Sequence, residues 1–479
     1  MSMDQTTLVQ NVVAEVLRRL GEGEGRAAGG PSGKSSAGPT TGRHGLFSEV
    51  DPAVEAAWAA QRALTDAGVE ARDGIVKLIK RIAIENKNEW GRLELEETQV
   101  GRLDHKIAKL EILDRVPGVE FLRTEAHSGD EGVTLDELAP WGVVGVITPV
   151  THSVPTLTAN AINMIAAGNA MVVNPHPSGA NCAALAVETF NRAIAERFGI
   201  DHLITIINPP TLRTAEAIFR HDDVPLLVAT GGPGVARAAM KQTKRAIVAG
   251  PGNPPVVVDE TADLDKAARG IIDGGAFDNN LLCIGEKEVF VVDSVFDKMM
   301  QAMASAGAAR LGAAQIDRLA DAAFDTSGDH PHVRKELIGK GCDALAEAAN
   351  ATIAPGVDLL FGETDEANLF VPEEQMMPFV PFVRVPDVDR AIELAIKHEH
   401  GFGHTAIIHS NNLETITRMG RAVNTTLFVV NGPSTAGLGL GGEGYLSYSI
   451  ATPTGEGITT PLTFTRFRRA SVAGALRVV

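Results

Sequence analysis

The sequence predicts an α/β protein made of two doubly wound parallel sheets with a β segment at its end, and three observations carry that reading. Short β-branched runs at 143–147, 170–174, 203–207, 226–230 and 246–248 alternate with helical stretches at 161–167, 181–198 and 214–221. A repeat of about 20 to 30 residues between strands is the spacing of parallel βαβ units with right-handed crossovers. A second set of runs begins at 256–259 and continues through 287–292, 379–385 and 405–408 to about residue 431. Finally, 49 glycines and 44% hydrophobic residues in 479 give many tight turns and enough apolar mass for more than one core.

Charge and cysteine content narrow the classes. Lys and Arg number 43 against 60 Asp and Glu, a formal balance of −17 that excludes a general nucleic-acid binder. Cys182, Cys283 and Cys342 are too few and too scattered for a disulfide framework or a Cys-rich metal site, so no metal is expected. No apolar run approaches the length of a membrane helix and the start lacks a secretory signal, so the expected setting is cytoplasmic.

Taken in order, the chain opens on Leu8, Val9, Val12, Val13, Val16, Leu17 and Leu20, one apolar face of a helix. Only Arg18 and Arg19 give its polar face positive charge, which speaks against a membrane-surface role and for a protein partner. Residues 21–45 contain nine glycines and no aromatic residue, the composition of a flexible tether. Ala-rich helical segments follow at 54–67, 72–87 and 88–98. The first strand set comes next, and ligands of such a sheet bind beyond its carboxyl ends, in the loops that begin at Thr148, Pro175, Pro209, Gly231 and Gly250. At the far end, Thr463, Phe464, Thr465, Arg466, Phe467 and Arg468 alternate as a strand does, with Arg466, Arg468 and Arg469 also readable as plain edge charges.

Two loops carry candidate chemistry. Thr230-Gly231-Gly232-Pro233-Gly234 runs from a strand into a helix, where backbone N–H groups suit a pyrophosphate. Glycine turns also occur in doubly wound sheets for steric reasons alone, so this piece by itself leaves both readings open. Cys182 and Cys342 sit in or beside Ala-rich helices as inert fillers, whereas Cys283 follows the polar pair Asn279-Asn280 and precedes a glycine and an apolar strand. That context leaves open a reactive thiol or one more buried one.

Taken together, several ordered motifs resemble the aldehyde dehydrogenase superfamily, specifically its CoA-acylating branch of propionaldehyde and acetaldehyde dehydrogenases from bacterial microcompartments. They are Gly145-Val146-Ile147-Thr148-Pro149, Ala166-Ala167-Gly168-Asn169-Ala170, Asn174-Pro175-His176-Pro177, Ala229-Thr230-Gly231-Gly232-Pro233-Gly234, Ala249-Gly250-Pro251-Gly252-Asn253-Pro254-Pro255, the Cys283 segment, and Pro453-Thr454-Gly455-Glu456-Gly457 with Thr463-Phe464-Thr465-Arg466. The resemblance runs from about residue 50 to 469. It implies an aldehyde dehydrogenase-like fold with a dinucleotide-binding domain (46–118 and 139–250), a catalytic domain (251–440) and a β oligomerisation arm (119–138 and 455–479). Residues 1–20 become a helix that targets the enzyme to a microcompartment shell protein, residues 21–45 its linker, and the assembly a homodimer or homotetramer.

By the same resemblance Cys283 is the nucleophile that adds to a short-chain aldehyde. The thiohemiacetal expels hydride to NAD and leaves a thioacyl-enzyme. The oxyanion is expected to meet the backbone N–H of Cys283 and a donor from the loop at Thr151 and His152, where the acylating relatives usually carry Asn. His152 either gives that donor, lowers the Cys283 pKa, or only lines the cleft. Thr148, Pro149, Asn174, Pro175, His176, Thr230, Gly231, Gly232, Gly234, Gly250 and Glu374 match cofactor-binding positions, although Asn174 stands where the family usually has a ribose-binding lysine. Val248 replaces the glutamate with which hydrolytic relatives activate water, so coenzyme A is the expected acyl acceptor. The alternatives are a hydrolytic aldehyde dehydrogenase giving free acid and a non-catalytic shell-associated protein. Val150, Val154, Leu281, Leu282 and Ile284 suggest a small apolar pocket, which does not choose among short aldehydes.

Overall fold

The computed structural model describes residues 42–328 and 330–477. The expected helix over 1–20 and the linker up to residue 41 lie outside them. Residues 42–45, assigned above to the linker, already belong to the body. Gly45 is buried at a φ of 92°, and a Cβ there would lie 2.3 Å from the Ile204 carbonyl oxygen, so the chain docks where only glycine fits.

The helix Val50–Glu85 bears Ala53, Val54, Ala57, Ala60 and Leu64 on one buried face and Ile75, Val76, Leu78, Ile79 and Ile82 on the next. Gly68 breaks its helical path at a φ of 80°, which divides it near where the sequence predicts two helices. Lys87–Thr98 and Leu103–Glu111 follow.

Six parallel strands form the first sheet, in the order Leu46–Phe47, Ile204–Ile207, Ala170–Asn174, Val143–Ile147, Leu226–Thr230 and Arg245–Ala249. The chain moves from Val143–Ile147 outward in one direction and resumes at Leu226–Thr230 on its other side. The order therefore reverses between these two strands, and the crevice beyond Ile147 and Thr230 is the switch point where such sheets bind ligands. The four strands that begin at 143, 170, 204 and 226 are buried along their whole length, as a sheet covered on both faces requires.

The second sheet has seven parallel strands, in the order Ala309–Arg310, Leu360–Thr364, Phe379–Val385, Glu288–Val292, Pro255–Val258, Thr405–His409 and Leu427–Val430. Its two faces pack against separate apolar clusters, one around Phe296, Met299 and Phe382, the other around Phe290, Leu394 and Met419. Residues 250–254 lead directly from the carboxyl end of Arg245–Ala249 to the amino end of Pro255–Val258. The amino edge of the second sheet is thereby tied to the carboxyl edge of the first.

A third, antiparallel sheet joins Glu125–Gly129, Gly132–Pro140 and Thr465–Ala473. The hairpin is expected near residue 119, but 119–121 forms a short 3-10 turn and the strands begin at 125. Arg469 is more than an edge charge, since its guanidinium takes Asp136 in a bidentate pair at 2.6 and 2.7 Å. Phe467 on the outer strand remains 64% exposed, with Val472 and Leu476 also open.

Candidate active site

Cys283 lies in the connection from the helix Leu264–Gly275 to the strand Glu288–Val292, at the amino edge of the second sheet. It is half-buried and packs against the first sheet's core, to which its neighbours Leu282 and Ile284 belong. The approach to it is unusual, because Asp278, Asn279 and Asn280 are consecutively left-handed, with φ of 50°, 57° and 60°. Asp and Asn tolerate that region best among residues with a Cβ, but three in a row need external support. The Asp278 amide donates to His105 Nδ1 at 2.8 Å, Asn279 Nδ2 to the Gly339 carbonyl at 2.8 Å and Asn280 Nδ2 to the Glu286 carbonyl at 2.9 Å. The Asn pair noted in the sequence is therefore the scaffold of a strained turn. Cys182 and Cys342 are each 5% exposed, and burial pushes both thiols up, that of Cys342 to about 12.

Four residues surround the Cys283 segment, on the connections that lead into and out of the second sheet. A Cβ on Gly252 would lie 2.5 Å from the Cys283 carbonyl oxygen and 3.0 Å from the His404 ring, so that residue is glycine to let three segments meet. Buried His404 takes or gives a hydrogen bond to Thr405 Oγ1 at 2.9 Å through Nδ1, while its Nε2 has no partner. The Lys287 ammonium is fully buried and donates to the Asn280 carbonyl at 2.8 Å, to Asn280 Oδ1 at 2.6 Å and to the Leu282 carbonyl at 3.5 Å. Glu374 accepts from the Gly252 amide, and burial raises its carboxyl to about 7 against the pull of Lys287 and that amide. Burial, reinforced by the Glu374 carboxylate, pushes the Cys283 thiol up to about 12, while Lys287 and the residue's own N–H pull it down.

The loop after Val143–Ile147 carries the other candidate residues. Thr148 is 2% exposed, and its Oγ1 is buried without a hydrogen-bond partner. Two buried ammonium groups hold the Thr151 carbonyl, Lys109 at 3.2 Å and Lys106 at 3.3 Å. His152 is 5% exposed, its Nε2 is 3.4 Å from Thr151 Oγ1, its Nδ1 has no partner, and its ring lies 5.8 Å from that of Tyr448. Burial, then the charges of Lys109 and Lys106, lower its pKa well below the usual histidine value, so the ring is neutral. A neutral ring cannot lower the thiol's pKa by its field. Of the uses expected for His152, this disfavours a charged ring acting on the thiol and leaves the uncharged donor and the cleft-lining residue.

The dinucleotide edge divides in two. Gly232 and Gly234 are exposed, Gly232 has an ordinary φ of −63°, and a Cβ on either would meet nothing within 4 Å. Neither backbone strain nor crowding in the fold calls for glycine there, which removes the steric reading of the turn and leaves room for a ligand at the start of the helix Pro233–Met240. Gly231 likewise has open space, with only Val235 Cβ at 3.9 Å, and Thr230 Oγ1 is paired with Ser449 Oγ at 2.9 Å. Gly250 differs, since a Cβ there would press on Pro453 at 2.8 Å, so its own packing explains it. Asn174 is 5% exposed and its Oδ1 accepts from Thr214 Oγ1 at 2.6 Å, so its side chain serves the fold rather than offering a free group. Pro175 is buried, and His176 is exposed beside it. Pro149 is half-buried.

Against known proteins, residues 41–444 match the model of the aldehyde dehydrogenase family. The chain belongs to this family. An acetylating acetaldehyde dehydrogenase of Salmonella typhimurium is 42% identical over 452 residues, covering 93% of this chain and 96% of that protein. A propionaldehyde dehydrogenase of Rhodopseudomonas palustris, solved with bound propionyl-CoA, superposes with a TM-score of 0.89 at 38% identity, covering 94% of this chain and 100% of that one. The same enzyme with bound CoA and an acylated cysteine gives a TM-score of 0.88 at 39% identity, covering 91% and 100%. A propionaldehyde dehydrogenase from a fucose-utilisation microcompartment of Clostridium phytofermentans gives 0.88 at 37%, again covering 91% and 100%.

Within this family the position of Val248 becomes informative. Its side chain is fully buried in the strand Arg245–Ala249, and its amide donates to Thr454 Oγ1 at 3.0 Å. Sequence reasoning missed Lys287 and His404, and took Gly252 only as one residue of a motif. A signal for Lys287 existed in Glu286-Lys287-Glu288, three charges in a row entering a fully buried strand, whereas nothing local marks His404.

Proposed function

We propose that this aldehyde dehydrogenase converts a short-chain aldehyde and coenzyme A to acyl-CoA, with Cys283 carrying the acyl group between two half-reactions. The single observation that carries the reading is a half-buried thiol packed against the dinucleotide domain, with an apolar Val248 where hydrolytic relatives place their base. Residues 46–118 and 139–250 are taken as the dinucleotide-binding domain and 251–440 as the catalytic domain.

Cys283 Sγ gives its proton to solvent water and forms a bond to the aldehyde carbon, and the carbonyl π pair moves onto oxygen. The Cys283 backbone N–H and the neutral ring of His152 receive that oxyanion, with Thr151 fixing the His152 side of the hole. Bound NAD supplies the hydride acceptor. Thr148, whose buried hydroxyl is unpartnered, and the open turn at Gly231, Gly232 and Gly234 fit such a dinucleotide, and we assign Glu374 to its ribose by its match to the family position. As the oxygen pair re-forms the carbonyl and the hydride departs, Cys283 is left as a thioester. Without a carboxylate at 248, that thioester resists water until the thiolate of coenzyme A takes the acyl group and returns the cysteine sulfur.

Glu374 supports a second reading. A carboxyl raised to about 7 whose charge is felt at the thiol could assist water, which gives hydrolysis to free acid. NADH formation from a short aldehyde, followed with and without coenzyme A, separates the two. Strong dependence on coenzyme A with acyl-CoA as product supports thioester exchange; equal rates with free acid accumulating discard it. We assign residues 1–20 to a shell protein of a microcompartment, on their amphipathic spacing and the compartment of the Clostridium relative. The three-stranded sheet, with Phe467, Val472 and Leu476 open on its outer strand and tail, is assigned to a homodimer or homotetramer contact.

A further inference from the structure

We propose that His105 is a positioning residue for the nucleophile, which by accepting the Asp278 amide holds the left-handed turn that presents Cys283. This rests on Cys283 being the nucleophile. Three consecutive residues with a Cβ in the left-handed region are strained, and they stay there only where the surroundings over-determine them. One stretch, residues 101–109, supplies most of that support. The Asp278 amide donates to His105 Nδ1 at 2.8 Å, the Arg102 amide donates to Asp278 Oδ1 at 2.8 Å, and Asn279 Nδ2 donates to the Gly101 carbonyl at 3.3 Å. The Lys109 ammonium pairs with Asp278 Oδ2. The His105 ring also stacks on Phe277, the residue before the turn, with centroids 4.5 Å apart and planes 11° from parallel. A Cβ on Gly101, whose φ is 87°, would collide with the Asp278 carboxylate, so the two segments meet where only glycine fits.

His105 differs from the other supports. Gly101 and Arg102 offer main-chain groups, and Lys109 also holds the Thr151 carbonyl and so serves more than the turn. The His105 side chain alone accepts from the main chain of the turn's first residue. An amide donor at 2.8 Å requires the lone pair on Nδ1, which fixes the ring as the neutral form with its proton on Nε2. Asp278 has no exposed surface, so without this acceptor its N–H either goes unpaired in the interior or the turn rotates to satisfy it. Such a rotation is carried to the sulfur. The Leu281 amide donates to the Asp278 carbonyl at 3.3 Å, and Asn280 Nδ2 is bonded at 2.9 Å to the Glu286 carbonyl, beyond Cys283 in the chain.

Two substitutions separate the acceptor from the packing. His105→Phe keeps a ring against Phe277 and removes the acceptor. His105→Asn removes the ring and keeps an acceptor, since asparagine carries Oδ1 one bond beyond Cγ as histidine carries Nδ1. The full-length proteins are compared by hydrogen exchange in the peptide covering residues 277–283, and by kcat and KM for a short aldehyde with NAD and coenzyme A. His105→Phe is expected to speed exchange in that peptide and to lower kcat by about tenfold or more, with little change in KM, while His105→Asn stays near the wild type in both. A side chain that only packs would reverse the order and make His105→Asn the worse variant, which overturns the proposal. Unchanged exchange in His105→Phe overturns it whatever the turnover. If His105→Phe does not fold, His105→Asn against His105→Ala decides: slower exchange with Asn supports the acceptor, and equal exchange contradicts it. Exchange does not depend on the reaction, so a wild-type protein that forms no acyl-CoA while the order of exchange holds would instead count against the proposed function.

Discussion

Replacing Cys283 by alanine is expected to lower aldehyde-dependent NADH formation by more than about a thousandfold while leaving the fold intact. The free carbonyl carbon is a poor hydride donor because the departing hydride would leave an acylium. Bonding to sulfur turns that carbon tetrahedral and puts an electron pair on oxygen that can push the hydride out. No other thiol can substitute, because Cys182 and Cys342 are buried in helical segments at 5% exposure each, whereas Cys283 is half-buried. The substitution removes one half-buried sulfur, so thermal unfolding should scarcely move. A variant that loses activity together with its fold would show that Cys283 is a packing residue. One that keeps NADH formation would show that the chemistry lies elsewhere.

Lys109→Met is expected to destabilise the protein by about 3 to 5 kcal/mol, the cost of removing the direct partner of the buried Asp278 carboxylate, which then keeps only Lys106 at 3.7 Å. Lys109, Lys106, Glu94 and Asp278 are each no more than 1% exposed and form one network. Lys109 is paired directly with Asp278, Lys106 with Glu94 at 3.2 Å, and Glu94 Oε2 accepts from the Val154 amide at 3.1 Å. Burial pushes the Asp278 carboxyl up, yet the two lysines and the Arg102 amide pull it below the usual range, so it stays ionised. The network spans the lead-in helices, the His152 loop and the left-handed turn before Cys283. Methionine matches the length of lysine, which isolates the charge from the packing. The expected readout is a large drop in the thermal midpoint accompanied by loss of turnover. Lys109→Met with Asp278→Asn should lose less than the two single changes added, because no unpaired charge remains. Additive losses would contradict a coupled pair.

Much of the fold was legible because it is local. The first sheet's strands are runs of β-branched residues whose period and spacing name them, and Gly68 divides a long helix close to where the periodicity lapses. Cys283 and the glycine turn at 231–234 were singled out by their motifs. What escaped is held by partners distant in sequence. Lys106 and Lys109 look like ordinary charges on a short helix, and only the folded chain brings Asp278 and the Thr151 carbonyl to them. Gly250 matches a binding motif but answers to Pro453, and Asn174 answers to Thr214, because a motif records position and not what the side chain touches. His152 was singled out by its place in the loop after the Thr-Pro pair, while its charge state required the two buried lysines.

The central claim is that Cys283 holds the acyl group until coenzyme A removes it. Its most direct measurement is the mass of the Cys283 peptide after the enzyme meets a short aldehyde and NAD without coenzyme A, then again after coenzyme A is added. The account predicts a gain equal to the aldehyde less a hydride and a proton, confined to Cys283 and lost on addition of coenzyme A as acyl-CoA appears. An unmodified Cys283, or an adduct that decays to free acid at the same rate with and without coenzyme A, would contradict it.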